Sequence, residues 1–81
     1  MNNARIVIID DEPQIRRLLE ITLENSGYKV ILAENGKQGI LLAANHTPDL
    51  ILLDLGLPDM NGHEVLKELR LWYNKPIFIL S

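Results

Sequence analysis

A run of four apolar residues, Leu50-Ile51-Leu52-Leu53, stops directly at Asp54 and indicates the fold of this chain. Apolar strands that do not alternate with polar residues are buried on both faces, which is typical of parallel sheets covered by helices. Similar runs occupy residues 6–9 and 77–80, and residues 28–33 form a strand-like segment that carries a lysine. That charge favours a position nearer an edge of the sheet.

Three helix-like segments separate these strands. The first is expected to begin at Asp11, as the capping residue, and to end at Gly27. The second is predicted at about residues 37–44 and the third at about residues 63–72. The resulting order, β-α-β-α-β-α-β, predicts an α/β fold with right-handed crossovers and a parallel sheet.

The first helix is expected to have two distinct faces. An apolar stripe is predicted to face the sheet, formed by Ile15, Leu18, Leu19, Thr22 and Leu23. The outward face carries Arg16 and Arg17, which lie near the acidic strand ends and could contact a partner protein. A solvated helix face is the preferred interpretation of both arginines.

Composition narrows the function classes. The chain has 81 residues, 47% of them apolar and 23% charged, which fits one small globular domain. Eight basic against eleven acidic residues give a net charge of −3, which argues against a nucleic-acid-binding surface in this chain. The absence of cysteine excludes disulfides and thiolate metal sites, and no apolar run approaches the roughly 20 residues that cross a bilayer. We therefore expect a cytoplasmic domain.

Acidic residues follow two of the strands. Asp10 and Asp11 come after the first strand and Asp54 after the third. Ligands of open parallel α/β sheets bind outside the carboxyl ends of the strands, so these carboxylates would converge if the two strands are neighbours. Their repulsion would then require a proton or a cation, and an all-oxygen ligand set favours Mg²⁺. Each aspartate could equally cap a helix or end a strand, and the spacing alone leaves both interpretations open.

The loop after Asp54 is the second candidate part of the site. Residues 54–62 contain Gly, Pro and Asn-Gly, so the backbone could offer a carbonyl to a metal and N–H groups to an anion. An ordinary turn before a helix is the alternative. Pro58 and Gly62 suit such a turn under either interpretation.

Three collinear motifs closely resemble the receiver domain of bacterial two-component response regulators. They are Ile8-Ile9-Asp10-Asp11-Glu12, then Pro48-Asp49-Leu50-Ile51-Leu52-Leu53-Asp54 into Leu57-Pro58-Asp59-Met60-Asn61-Gly62, and Pro76-Ile77-Phe78-Ile79-Leu80-Ser81. The resemblance covers the whole chain and implies a flavodoxin-like (CheY-like) parallel sheet of order 2-1-3-4-5, truncated after the fourth strand. Residues 54–59 and 69–76 also resemble the potassium-responsive Kdp regulators of the winged-helix, OmpR/PhoB-like class.

The resemblance implies roles for individual residues. Asp54 matches the phosphoacceptor, whose carboxylate takes a phosphoryl group from a phosphohistidine of a sensor histidine kinase. Asp11, Asp54 and the backbone carbonyl of Gly56 match direct Mg²⁺ ligands, and Asp10 matches the acid that holds the ion through water. Ser81 matches the hydroxyl that hydrogen-bonds the phosphoryl group and helps to switch a transcriptional output. A frayed terminal residue is the alternative for Ser81.

The resemblance also implies that parts are missing. The last strand has the composition of an interior strand, yet no later segment flanks it. The family's fourth helix, fifth strand with its lysine, fifth helix and any DNA-binding domain would lie beyond Ser81, so residues 1–81 are interpreted as an incomplete receiver domain. Without that lysine, stable phosphorylation is doubtful. The apolar edge left exposed is expected to recruit a second copy of the chain.

A phosphoacceptor domain is expected to show no enzyme turnover. Two alternative functions remain open. A Mg²⁺-dependent phosphatase or phosphotransferase would also use a strand-end aspartate as nucleophile, but such enzymes place two aspartates two residues apart. Asp10 and Asp11 are adjacent, so that spacing is not met. A degenerate receiver would bind partners without phosphorylation, and the presence of all three aspartates argues against it. His46 and His63 have no companion ligands at zinc spacing and are given no metal role.

Overall fold

Strands and helices alternate along residues 3–80, the part of the chain that the computed structural model describes. The strands are β1 (Arg5–Ile9), β2 (Lys29–Ala33), β3 (Leu50–Leu53) and β4 (Ile77–Ile79). The helices are α1 (Pro13–Asn25), α2 (Gly36–His46) and α3 (Gly62–Leu69). The predicted order of elements is confirmed, and every strand lies within one residue of its predicted bounds.

The sheet is parallel throughout, with the strand order β2-β1-β3-β4. β1 and β3 are therefore neighbours, as the resemblance implied, and β2 lies at an edge as its lysine predicted. Ile9 pairs with both Ala33 and Leu53, so three strands reach their carboxyl ends at one level. The residues that follow β1 and β3 must emerge side by side at this edge of the sheet.

The core occupies both faces of the sheet, which explains why β1 and β3 are apolar without alternation. One face packs against α2 and α3, and its buried members include Val7, Ile9, Ile51, Leu53, Ala43, Val65 and Leu69. The other face packs against α1, with Ile6, Ile8 and Leu52 buried beneath half-buried Leu19 and Leu23. No helix within residues 3–80 is long and apolar enough to span a membrane.

Helix α2 approaches β1 unusually closely. A Cβ on Gly39 would lie 2.5 Å from Cδ1 of Ile9, so only glycine allows this separation. In isolation a glycine inside a helix costs about 1 kcal/mol relative to alanine. Here that cost is offset by close packing, which holds α2 against the middle of the sheet.

Helix α1 differs from the prediction at its start. Glu12, not Asp11, is the N-cap residue, and its side chain makes no capping hydrogen bond. The following residue is Pro13, which has no N–H and so removes one of the donors that a cap would satisfy. The helix end was predicted correctly, since Gly27 follows it with a φ of 92°.

Two of the five residues predicted for the apolar stripe of α1 face the sheet, and the predicted member Thr22 is exposed. Leu19 and Leu23 pack on the sheet, but Ile15 is 38% exposed and Leu18 is 61% exposed. The described part of the chain covers only one side of this helix. The edge strand β4 is similarly open, with Phe78 59% exposed.

Candidate functional site

Asp10, Asp11 and Asp54 lie together at the carboxyl edge of the sheet. One carboxylate oxygen of each is within 4.8 Å of those of the other two, and this is the one such acidic or histidine-containing cluster among residues 3–80. The cluster forms because β1 and β3 are paired up to their ends, where the N–H of Asp54 donates to the carbonyl of Ile9 at 2.9 Å. The predicted convergence of the three carboxylates is therefore observed.

The two buried members of the cluster are oriented by the same local device. Oδ1 of Asp10 accepts a hydrogen bond from the N–H of Glu12 at 2.8 Å, and Oδ1 of Asp54 accepts one from the N–H of Gly56 at 3.0 Å. In each case the donor lies two residues further along the chain, which is the Asx-turn pattern. Each loop thus turns around the carboxylate that it follows, and the carboxylate is fixed in direction.

Burial and like charge both act on Asp10, which is 4% exposed. Burial raises the pKa of Asp10, the hydrogen bond from Glu12 lowers this pKa, and the charges of Asp54 and Asp11 raise it; the net shift is upward. The cluster consequently carries unfavourable electrostatic energy, which a bound cation would offset.

Arg16 supports this edge of the sheet, contrary to the solvated face expected for it. Its guanidinium donates to the backbone carbonyl of Asp10 at 2.6 Å and lies 3.9 Å from the carboxylate of Glu34. The Arg16 side chain is only 15% exposed, whereas that of Arg17 is 71% exposed. The expectation was therefore correct for Arg17 and wrong for Arg16, because the helix turn after Pro13 aims Arg16 back at the end of β1.

The donor set fits a hard divalent cation. All three side chains are carboxylates, and neither His46 nor His63 belongs to the cluster within the described residues. Asp11 is exposed, so the cluster opens to solvent on one side. Mg²⁺ prefers such oxygen ligands and keeps several of its waters, which an open site allows.

Gly56 and Ser81 are the two remaining predicted site residues. Gly56 is exposed in the loop after β3, and its N–H is the group that orients Asp54. Ser81 lies outside the described residues. A residue that sequence reasoning missed is Asp59, whose carboxylate accepts hydrogen bonds from the backbone of α2. Its partners, Gly36 and Lys37, are distant in sequence, so no local sequence pattern predicts these contacts.

Asp10→Asn is expected to stabilise the chain in the absence of divalent cations. The amide oxygen can still accept from Glu12, while burial and repulsion no longer penalise a charge. Because the folded-state pKa of Asp10 is raised, the contribution of Asp10 to the free energy of unfolding is most favourable below its unfolded pKa and is lost as the pH rises through its folded pKa. At neutral pH we expect a gain of about 1 kcal/mol in urea denaturation, after allowing for solvent screening.

With saturating Mg²⁺, the unaltered chain is expected to become more stable than the Asp10→Asn variant. Binding to the folded state adds stability, and the unaltered chain should gain more because its cluster keeps all three charges. If both proteins are measured without divalent cations and Asp10→Asn is the less stable one, the electrostatic account of the cluster is contradicted.

Comparisons with known proteins agree with this fold and cluster. A family model described as the response regulator receiver domain matches residues 6–81. The regulator KdpE of Mycobacterium tuberculosis is 51% identical over 94% of this chain, and KdpE of Escherichia coli is 47% identical over 96%. Among solved structures, the receiver domain of a Methanoculleus marisnigri response regulator superimposes with a TM-score of 0.93 at 29% identity over 99% of this chain.

The BeF3-activated receiver domain of Klebsiella pneumoniae RstA also superimposes, with a TM-score of 0.88 and 29% identity over 93% of this chain. The chain spans about one third of the length of the KdpE relatives, 34% and 35%, and 64% to 68% of these two receiver structures. The match to the family model covers nearly every residue, including the three aspartates at the strand ends. The chain therefore belongs to the response regulator receiver domain family.

Proposed function

We propose that this chain is the phosphoacceptor part of a two-component transcriptional regulator, with Asp54 as the residue that receives the phosphoryl group. The observation that carries the proposal is the Asp10, Asp11 and Asp54 cluster, held at the ends of two adjacent strands in a member of the receiver family. Asp54 suits this role because it is fixed by Gly56 and lies within the acidic cluster.

The reaction is a transfer between two nucleophiles. An oxygen of Asp54 forms a bond to phosphorus, and the bond from phosphorus to a histidine nitrogen of the donor kinase breaks. The nitrogen keeps the electron pair and takes a proton from solvent, while Asp54 becomes an acyl phosphate. The hydrogen bond from Gly56 restricts the carboxylate to one orientation, which lowers the entropic cost of the in-line approach.

Asp10, Asp11, Asp54 and the backbone carbonyl of Gly56 are the groups proposed to hold Mg²⁺. When bound, the ion supplies positive charge that offsets the charge of the phosphoryl oxygens during transfer. The residues of this chain contribute the position of the nucleophile and the partly buried surroundings of the cluster. Arg16 keeps the end of β1 in place through the Asp10 carbonyl.

The signalling output is a property of the longer regulator. Relatives such as KdpE are transcriptional regulators about three times as long as this chain. We infer that a sensor histidine kinase is the phosphoryl donor and that DNA is bound through another part of such a regulator. Ser81 is proposed as the hydroxyl that hydrogen-bonds the phosphoryl group.

Phosphoryl uptake tests the proposal directly. The chain is incubated with a small acyl phosphate, such as acetyl phosphate, and the product is followed by intact mass spectrometry. We expect uptake of up to one phosphoryl group per chain with Mg²⁺, measured at early times because the product is expected to be short-lived without the family's lysine, and no uptake with a chelator. Release of many phosphates per chain would instead favour a phosphatase, and no uptake under any metal condition would contradict the phosphoacceptor role.

Self-association is proposed for the isolated chain. β4 has only β3 as a neighbour in the described sheet, and its exposed side chains Phe78 and Ile79 form an apolar edge. A second copy can pair with this edge and cover it, since an open apolar strand recruits other strands. Sedimentation velocity between about 1 and 100 µM should show a shift from monomer to dimer, and an unchanged monomer boundary would contradict this.

A further inference from the structure

The loop between β3 and α3, residues 54–61, is fastened to a distant helix; we call it the phosphoacceptor loop. Both oxygens of Asp59 accept backbone hydrogen bonds at the start of α2, from the N–H of Gly36 at 2.7 Å and the N–H of Lys37 at 2.9 Å. These donors precede Asp59 in the chain by 23 and 22 residues. One carboxylate thus connects the loop that follows Asp54 to a separate helix.

The start of α2 divides its capping between two residues. Asn35 is the N-cap, and its side chain accepts from the N–H of Gln38 at 2.8 Å. The N–H groups of Gly36 and Lys37 have no partner within the helix, and Asp59 satisfies both of them. A carboxylate at a helix N-terminus is also favoured by the helix dipole. These hydrogen bonds from Lys37 and Gly36 lower the pKa of Asp59, so it stays ionised at neutral pH.

Packing reinforces the same contact at the next residue. A Cβ on Gly36 would lie 2.5 Å from Cγ of Met60, so the loop rests directly on the first residue of α2. At the far end of the loop, the N–H of Gly62 donates to the carbonyl of Leu55 at 3.1 Å. The loop is therefore held at its crossing point with α2 and closed at its base.

We propose that Asp59 is a positioning residue that fixes the phosphoacceptor loop on α2 and so sets the loop backbone beside Asp54 for Mg²⁺ binding. The proposal rests on the proposed function, because it concerns the metal affinity of that site. Asp59 acts through the loop backbone: its carboxylate is occupied by the N–H groups of α2. Residues that orient a metal site from outside its ligand set commonly change affinity by tenfold or more.

Asp59→Ala is expected to weaken Mg²⁺ binding by about tenfold. The measurement is a Mg²⁺ titration of the unaltered and altered 81-residue chains, followed by amide NMR shifts of residues 10, 11 and 54–56. Asp59→Asn keeps one oxygen that can accept from the α2 backbone, so its affinity should lie between those of the other two proteins. The amides of residues 55–61 should also exchange with solvent faster in Asp59→Ala.

Asn35→Ala is the matched control. It removes the other side-chain cap of the same helix and costs about 1 kcal/mol of stability, but it leaves the loop contacts of Asp59 in place. Its Mg²⁺ affinity should stay within about twofold of the unaltered chain. Equal weakening by Asn35→Ala and Asp59→Ala, or no weakening by Asp59→Ala, would overturn the positioning role alone. Failure of the unaltered chain to bind Mg²⁺ would overturn the proposed metal site, and the role of Asp59 with it.

Discussion

Asp54→Asn is expected to abolish Mg²⁺-dependent phosphoryl uptake, lowering it by at least about 100-fold relative to the unaltered chain. The amide oxygen can still accept the hydrogen bond from Gly56, so the local turn is preserved. The variant loses the anionic oxygen that attacks phosphorus and one of the three charges that attract the cation. Loss of the attacking oxygen and loss of one metal-attracting charge both slow the transfer of the phosphoryl group. Intact mass after incubation with acetyl phosphate and Mg²⁺ measures the effect.

Asp49→Asn provides a matched control on the same strand. Asp49 immediately precedes β3 and Asp54 immediately follows it, so the two aspartates lie at opposite ends of this four-residue strand. The Asp49 carboxylate accepts from the N–H of Arg5 at 2.9 Å and lies 3.3 Å from Nζ of Lys75, remote from the acidic cluster. Asp49→Asn should be labelled normally. Full labelling of Asp54→Asn, mapped by peptide mass to another residue, would contradict the assignment.

Beryllofluoride provides a second readout of the same assignment. With Mg²⁺ it mimics a phosphoryl group, and the unaltered chain should show amide shifts around Asp54 and Gly56. Asp54→Asn should show no shifts beyond those caused by Mg²⁺ alone, because residue 54 no longer has the carboxylate oxygen that would bind beryllium. This readout needs no long-lived acyl phosphate, so it separates a failure of phosphoryl transfer from rapid loss of the product.

Sequence alone predicts that acidic residues lie at the carboxyl ends of strands, because this signal is local. Two of the apolar runs, residues 6–9 and 50–53, end abruptly at an aspartate, and parallel strands place their carboxyl ends on one side of a sheet. What apolar runs do not encode is which strands are neighbours. That β1 lies beside β3 followed from the resemblance to receiver domains, and the pairing of Ile9 with Leu53 confirms it.

Contacts between separate loops were beyond such reasoning. The hydrogen bonds from Gly36 and Lys37 to Asp59 join segments more than 20 residues apart, and neither segment has a periodic pattern that refers to the other. Arg16 was misplaced for a related reason. Its spacing puts it on the outward face of α1, but a long side chain at the first helix turn can fold back to the carbonyl of Asp10, the residue that follows β1.

Gly62→Ala is expected to remove most of the stability of the chain, although helix propensity alone predicts the opposite. Gly62 is the first residue of α3, where alanine would normally be the better helix former. A Cβ at this position would lie 2.3 Å from the Cα of Leu55 and 3.0 Å from the carbonyl oxygen of Asp54. Both atoms belong to the backbone and cannot rotate away. We expect a loss of about 2–4 kcal/mol, against roughly 3–5 kcal/mol available to a domain of this size.

Gly56→Ala in the same loop is the control, and urea denaturation of both variants is the measurement. A Cβ on Gly56 would meet its nearest heavy atom, Oδ1 of Asp54, at 3.8 Å, which is ordinary contact. That variant should be neutral or more stable by up to about 1 kcal/mol, because alanine restricts the unfolded chain. If Gly62→Ala and Gly56→Ala both unfold at the urea midpoint of the unaltered chain, the loop must open at little cost in free energy. Such a loop could not hold the backbone of Leu55, next to Asp54, in a fixed position. The inference that this loop is held rigidly beside the nucleophile would then be wrong.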